Sequence, residues 1–294
     1  MNNPWLDFDK KWNVPPMEDN VRPVFVLASI WRSGSTLVQR LISSDPSILL
    51  WGEPYGDAGF LPSLANSSKA LLRSDWPHPM MMLDKKADTE GYEEIRTEPH
   101  SFWIANLYPK PEVLRNSFRT MLDQLFHEPV LALGRERFGI KEIRYDGVTA
   151  FFLQWLYPNA RFIFLHRNPY DAWSSYKGAR WCYQWPKVIV EDVRLFAKLW
   201  RRNFESFLPM QSHPNTINIL FEDLVRNPEN MIPLLEEHCD VRIKREVMTQ
   251  KIRGVDKKKM WVSEKEQEII HQICGDIAEP LGYLGPRNTV SQSG

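Results

Sequence analysis

Arg32-Ser33-Gly34-Ser35-Thr36 sets a guanidinium, a flexible corner and three hydroxyl groups within one short stretch. The run before it, Val24 to Ala28, is apolar and rich in β-formers and follows Pro23, so it reads as a strand buried on both faces. After it, Leu37, Leu41 and Ile42 recur at helical spacing. A strand, a glycine corner and a helix aim unpaired backbone N–H groups and the positive end of a helix dipole at one point, which is anion-binding chemistry. A second anion signature closes another buried strand, Arg161 to His166. There Arg167 is followed by a helix start with Asn168 as N-cap, Pro169 at the first helical position and Asp171 complementing the dipole. The third chemical element is a carboxylate. Glu53 leaves the brief apolar run Ile48 to Trp51 through Gly52, where it can take a proton from a hydroxyl nucleophile. Lys141, in Gly139-Ile-Lys-Glu-Ile143, adds a cation on a further strand, and His100 and His166 are rival bases.

The glycine corner differs from the nucleotide-binding P-loop, Gly-x-x-x-x-Gly-Lys-Ser/Thr: it has neither the first glycine nor the lysine. Arg32-Ser33-Gly34-Ser35-Thr36-Leu37 instead resembles the 5′-phosphosulfate loop of sulfotransferases, in which Lys or Arg precedes Ser-Gly-Thr/Ser-Thr. The Arg-Ser-Gly-Ser-Thr form, with Gly-Glu soon after it, looks most like the tyrosylprotein and related bacterial members. The resemblance runs from Val24 to Tyr283, strongest at the two phosphate elements and weakest over residues 54–111.

That resemblance implies transfer of a sulfuryl group from 3′-phosphoadenosine 5′-phosphosulfate to a hydroxyl or amine acceptor. Arg32, Ser33, Gly34, Ser35 and Thr36 would hold the 5′-phosphate. The family holds the 3′-phosphate with an Arg at a strand end and a Ser eight residues later, the spacing of Arg167 and Ser175. A late basic loop is implied at Arg253-Gly254. Glu53 would be the general base, and Lys141 would touch the sulfuryl group or the acceptor. No metal is expected, because the transferred group carries a single charge. Each residue also has a structural reading: a Ser-Gly turn of purely steric origin, an Arg167–Asp171 ion pair, an N-cap role for Glu53 or its salt bridge to Arg32, and Lys141 pointing to solvent.

The elements that must position these groups alternate between strands and helices. The expected fold is α/β, a P-loop-like three-layer domain with a mostly parallel central sheet flanked by helices, over residues 24–284. Helical patterns run over 111–128, 148–156 and 186–208, the last with Ile189, Val193, Phe196, Trp200, Phe204 and Phe207 on one face. Strands are expected near 139–143 and 216–220, and a final helix starts at Ser263. Phe221-Glu222-Asp223-Leu224 and Gly282-Tyr283 resemble structural landmarks of the family. Residues 1–23 form an N-terminal arm, and 285–294 a disordered tail. Residues 54–111, rich in proline and weakly periodic, are expected to be an acceptor-binding insertion or lid.

Composition narrows the partners. Lys plus Arg and Asp plus Glu both number 37 in 294 residues, so no global field draws the chain to nucleic acid or an anionic membrane. Three scattered cysteines without metal-ligand spacing suit a reducing compartment. No apolar run approaches the ~18 residues of a membrane span, and the start lacks a signal peptide, so a soluble, cytoplasmic protein is expected. Of the twelve tryptophans, Trp51, Trp103 and Trp181 are the candidates for acceptor contact. Two other functions are consistent with anion loops: a P-loop kinase-like phosphotransferase, against which the absent Gly-Lys and Mg²⁺ carboxylate weigh, and a non-catalytic nucleotide-binding module.

Overall fold

Alternation along the strands divides the interior in two. In β1 (Val24–Ala28), Val24, Val26 and Ala28 face one apolar cluster while Phe25 and Leu27 face another. The computed structural model describes residues 3–17, 20–73, 109–178, 184–185, 188–250 and 260–285. β1 pairs in parallel with β3 (Arg137–Glu142) on one side and β4 (Arg161–His166) on the other. β2 (Ile48–Gly52) extends the sheet beyond β3, and β7 (Thr216–Leu220) extends it beyond β4. The order is β2–β3–β1–β4–β7, with every pairing parallel. A separate antiparallel pair joins β5 (Gln184–Trp185) and β6 (Val188–Ile189).

Helices cover both faces. On one side lie α2 (Ser35–Ile42), α7 (Pro169–Lys177), α8 (Val193–Phe207), α10 (Pro228–Cys239) and α11 (Glu264–Ala278), which supply most of the cluster around Val26 and Ile163. The other side is covered by α1 (Pro4–Lys11), α3 (Phe60–Ser68), α4 (Pro111–Leu122) and α6 (Gly147–Leu156). That side is aromatic: Phe25 meets Phe138, Tyr157 and Phe162 with ring centroids 5.2 to 6.3 Å apart. Such edge and tilted contacts contribute beyond the area they bury. α9 (Phe221–Arg226) caps the end of β7. Because chain connections leave β1 toward β2 while β4 lies on its other side, the carboxyl ends of β1 and β4 form the switch point where open α/β sheets bind ligands.

Two expected helices are redrawn. The 186–208 helix begins only at Val193, where Asp192 accepts from the Leu195 N–H, and Ile189 is exposed in β6 rather than buried on the helix stripe. A β-branched Val188-Ile189-Val190 run suits extended backbone, and the aspartate sets the start. The 111–128 helix continues to Ala132 through a π-helical turn at Asp123–His127 and α5 (Glu128–Ala132). Pro129 has no N–H for the ladder, and widening the turn before it accommodates the missing bond.

The segment before β1 is a working part of the core. Trp5 and Phe8 of α1 are buried, and the Trp5 indole donates to Ser68 Oγ at 3.1 Å. Asp9 accepts from the Trp155 indole at 2.9 Å and from Arg115 at 2.8 Å, joining α1 to α6 and α4. Trp5, Phe8 and Trp12 do recur at helical spacing, but the helix of Pro4–Lys11 is only two turns long. Replacing Trp5 with alanine removes a fully buried aromatic and the bond that Ser68 Oγ accepts, so urea denaturation is expected to show a loss of about 3–5 kcal/mol.

Candidate active site

The glycine corner is built by the end of β1. Ser29 N donates to Leu165 O at 3.1 Å, continuing the β1–β4 ladder by one bond, and Ser29 Oγ lies 2.5 Å from His166 Nδ1. Ile30 and Trp31 then turn into the core, and Ser33 Oγ donates to Ile30 O at 2.6 Å. Arg32 takes φ 63° and Gly34 φ 85°, so the turn uses left-handed backbone twice. Gly34 is needed for a second reason: a Cβ there would lie 2.1 Å from the Phe221 ring. Gly34 is also the residue before α2, and no side chain caps this helix start. The unmet need of its first N–H groups suits an anion. Ser35 is buried and Thr36 exposed at the first two helical positions.

The Arg167 corner meets this loop directly. Arg167 NH1 donates to the main-chain carbonyl of Arg32. Arg32 Nε donates to Ser175 Oγ on α7 at 3.0 Å. Residues expected at opposite ends of one ligand are therefore in contact. Asn168 accepts from the N–H groups of Tyr170 and Asp171, as its N-cap role predicts, and Asn168 N donates to Glu222 at 3.1 Å. Tyr283 Oη donates to the other oxygen of Glu222 at 2.8 Å, which gives both resemblance landmarks a job: they brace this corner. The Arg167 guanidinium sits 4.8 Å from the Phe221 ring centre. Burial pulls its pKa down against the opposing pull of Asp171 and Glu222, and its Nε is buried with no hydrogen-bond partner among the described residues. A buried cation with an unspent donor is a place for an anion.

The third corner lies at the ends of β2 and β3, where Gly52 pairs with Lys141. Glu53, at φ 53°, donates its N–H to Lys141 O at 2.8 Å. Its carboxylate pairs with Lys141 Nζ through Oε1 and with Arg144 NH1 through Oε2 at 2.9 Å. Lys141 is buried and does not point to solvent, and Glu53 is paired here rather than with Arg32. Burial works against the Glu53 charge, but Lys141 and Arg144 outweigh it and hold the carboxyl below its usual range. Glu142 is different. It is fully buried, and burial pushes its pKa up to about 7 despite N–H bonds from the backbone.

Other candidates separate from these corners. His166 is 1% exposed, and burial drives its pKa down to about 4. It is a neutral strut between Ser29 and Asn218, and this corrects its candidacy as a base. The Trp51 indole donates to Phe126 O at 3.0 Å, so Trp51 is a packing group. His100, Trp103, Trp181 and Arg253 lie outside the described residues. The flanks of 251–259 are placed: Arg40 of α2 donates to the Gln250 carbonyl at 3.3 Å, and Ser174 of α7 donates to Met260 O at 2.6 Å. Among the described residues no cluster could hold a metal ion, and no helix is long and apolar enough to cross a membrane. Sequence reasoning passed over Arg144 and Phe221 as parts of the site. Phe221 carried a signal, its place directly after β7, but Arg144 carried none.

The sulfotransferase family profile matches residues 23–245. The chain belongs to the sulfotransferase family. Among solved structures, this sulfotransferase is similar to the sulfotransferase domain of the Synechococcus PCC 7002 olefin synthase, with 18% identity, 94% of this chain and 99% of that chain covered, and a TM-score of 0.51. It also resembles a sulfotransferase domain from the curacin biosynthetic pathway at 17% identity, covering 91% and 100% of the two chains with a TM-score of 0.49. A sulfotransferase from Mycobacterium avium matches at 14% identity, 94% and 80% coverage and a TM-score of 0.44. No curated protein matches the chain by sequence. At 18% identity the first of these structures shows a shared fold.

Glu142 makes the sulfotransferase's stability depend on pH in an unusual direction. A carboxyl raised from 4.5 to about 7 on folding favours the native state fully below pH 4.5, and that contribution is lost as pH rises through 7. Glu53, shifted the other way, acts only in the acid range below the ordinary carboxylate pKa. From pH 5 to 7.5 the fall due to Glu142 opposes the rise in stability expected from His166 and His238, whose pKa values burial lowers to about 4, so the Glu142 contribution is read as a difference between variants. In chemical denaturation, the stability of Glu142→Gln relative to the wild type should increase by about 2 kcal/mol over that interval; parallel curves would contradict the assignment.

Proposed function

We propose that this sulfotransferase moves a sulfuryl group from 3′-phosphoadenosine 5′-phosphosulfate to a hydroxyl or amine acceptor, leaving adenosine 3′,5′-bisphosphate. The observation that carries the reading is the junction of the two anion corners, Arg32 Nε on Ser175 Oγ and Arg167 on the Arg32 carbonyl. A ligand with phosphates at two positions on one ribose is the chemistry such a pair of neighbouring corners suits. The unpartnered Arg167 Nε and the uncapped start of α2 fit that ligand's two anionic groups.

In this reading Arg32, Ser33, Gly34, Ser35 and Thr36 hold the 5′-phosphate, while Arg167 and Ser175, with Arg253, hold the 3′-phosphate. Glu53 takes the acceptor proton as the acceptor oxygen or nitrogen attacks sulfur. The bond from sulfur to the 5′-phosphate oxygen breaks, and that oxygen keeps the electron pair. Charge therefore builds on the leaving oxygen, where Arg32 and the loop N–H groups stabilise it. Lys141, which pairs with Glu53, meets the sulfuryl group or the acceptor in this reading. Part of residues 54–111 would contact the acceptor. The free buried thiols of Cys239 and Cys274 suit a reducing, cytoplasmic setting.

Calorimetry is expected to give tight binding of adenosine 3′,5′-bisphosphate and weak binding of ATP; equal affinities would sink this reading. With labelled donor and a mixed acceptor library, Arg32→Ala should lower kcat/KM by ~10²-fold or more. Arg167→Ala should act mainly through donor affinity, and Glu53→Gln should cut kcat by ~10²–10⁴-fold with donor binding intact.

A further inference from the structure

Arg144 follows the end of β3 and belongs to none of the motifs that mark the donor corners, yet it is the most connected charged residue of the base corner. Its NH1 meets Glu53 Oε2 at 2.9 Å and Glu142 Oε1 at 3.3 Å. Its NH2 meets Asp57 Oδ1 at 2.8 Å, and its guanidinium lies 5.7 Å from the ring centre of Trp31 in the donor loop. The arginine side chain is 6% exposed. One residue thus touches both the turn that carries Glu53 and the loop that carries Arg32.

Its partners differ in stiffness. Glu142 cannot follow Arg144 if it moves, because Oε1 also accepts from the N–H groups of Ile143 at 2.7 Å and Arg144 at 3.2 Å. Gly56 closes over this pair: a Cβ there would sit 2.5 Å from Glu142 Oε2 and 2.8 Å from Arg144 NH1. Arg144 is therefore held from behind by a fixed carboxylate and from the side by the Trp31 ring. Lys141 is not. Among the described residues its ammonium has one hydrogen-bond partner, Glu53. Among the described residues, the charged groups around Glu53 are Lys141 and Glu142 from β3, Arg144 beyond its end, and Asp57 from the following turn. Asp57 is largely exposed, so water screens its share.

We propose that Arg144 is the positioning residue for Glu53, gripping Oε2 so that the carboxylate stays ionised and aimed when Lys141 leaves Oε1. The inference rests on the sulfotransferase reading for its role in turnover, but not for the grip itself. A lysine that turns toward the anionic sulfuryl group vacates Oε1, which is then the oxygen that receives the acceptor proton. Without a second cation, Glu53 in this partly buried site would drift and take up a proton from solvent before the acceptor arrived. A planar guanidinium can serve Glu53, Glu142 and Asp57 at once, which an ammonium cannot.

The grip is tested in the protein without donor by a ¹³C NMR titration of the Glu53 side-chain carboxyl, assigned by its loss in Glu53→Gln. Arg144→Gln is expected to raise the Glu53 midpoint by about one pH unit or more. Arg144→Lys should raise it less, and that variant serves alone if Arg144→Gln does not fold. In the transfer assay the acid limb of kcat/KM should move up by the same amount, while affinity for adenosine 3′,5′-bisphosphate changes less than about threefold. A Glu53 midpoint unmoved in the variant that folds overturns the proposal, as does uniform loss of rate at every pH with an unmoved limb. Failure to bind the bisphosphate would instead refute the functional reading, and the titration would still decide whether Arg144 holds Glu53.

Discussion

Arg167 reaches from the end of β4 to the main-chain carbonyl of Arg32, and the arrangement of the site depends on that bond. A main-chain carbonyl in a left-handed residue points where an ordinary turn would not send it, and here it points at a buried cation. The bond therefore selects one conformation of the glycine corner. Backbone strain of this kind costs roughly 1–3 kcal/mol per residue and persists where the surroundings over-determine it. The surroundings here include buried Trp31, the Phe221 ring pressed against Gly34, and the Ser29–His166 contact. Removing freedom from the loop before a ligand arrives leaves less to be lost on binding.

The sheet makes the junction possible. In a parallel sheet all strands present their carboxyl ends to one edge, so the ends of β1, β2, β3 and β4 deliver three corners to one side of the molecule. The aromatic layer behind Phe25 and Phe138 stiffens that platform, since close-packed rings transmit displacement rather than absorb it. The N-terminal helix closes the same layer through Trp5 and Asp9.

The base corner follows a different logic from the donor corners. Glu53, Lys141, Glu142 and Arg144 form a largely desolvated charge network, and such networks contribute little net stability once desolvation is counted. They do fix geometry. Breaking one partner strands the others, so each carboxylate is confined to one orientation. The opposite shifts of Glu53 and Glu142 arise within this single network: the first has two cations on its own oxygens, whereas the second is deeper and has one oxygen without a hydrogen bond among the described residues.

By itself the amino-acid sequence determined the strand, corner and helix at residues 24–42, the helix start at Asn168, and the alternating α/β layout. These signals are local: apolar runs, a capping side chain, and a glycine where only a left-handed residue fits. Arg32 and Arg167 were legible because each stands next to such a signal, whereas Ser175 was reached only through its spacing in the family resemblance. Tertiary structure alone decided that Glu53 faces Lys141 and Arg144, which lie 88 and 91 residues away. It also decided that His166 is a neutral strut and that Val188 and Ile189 lie in a strand rather than in the helix. Strand order governs which distant side chains meet and how much water is left around them, and neither order nor desolvation is encoded in the spacing of neighbouring residues.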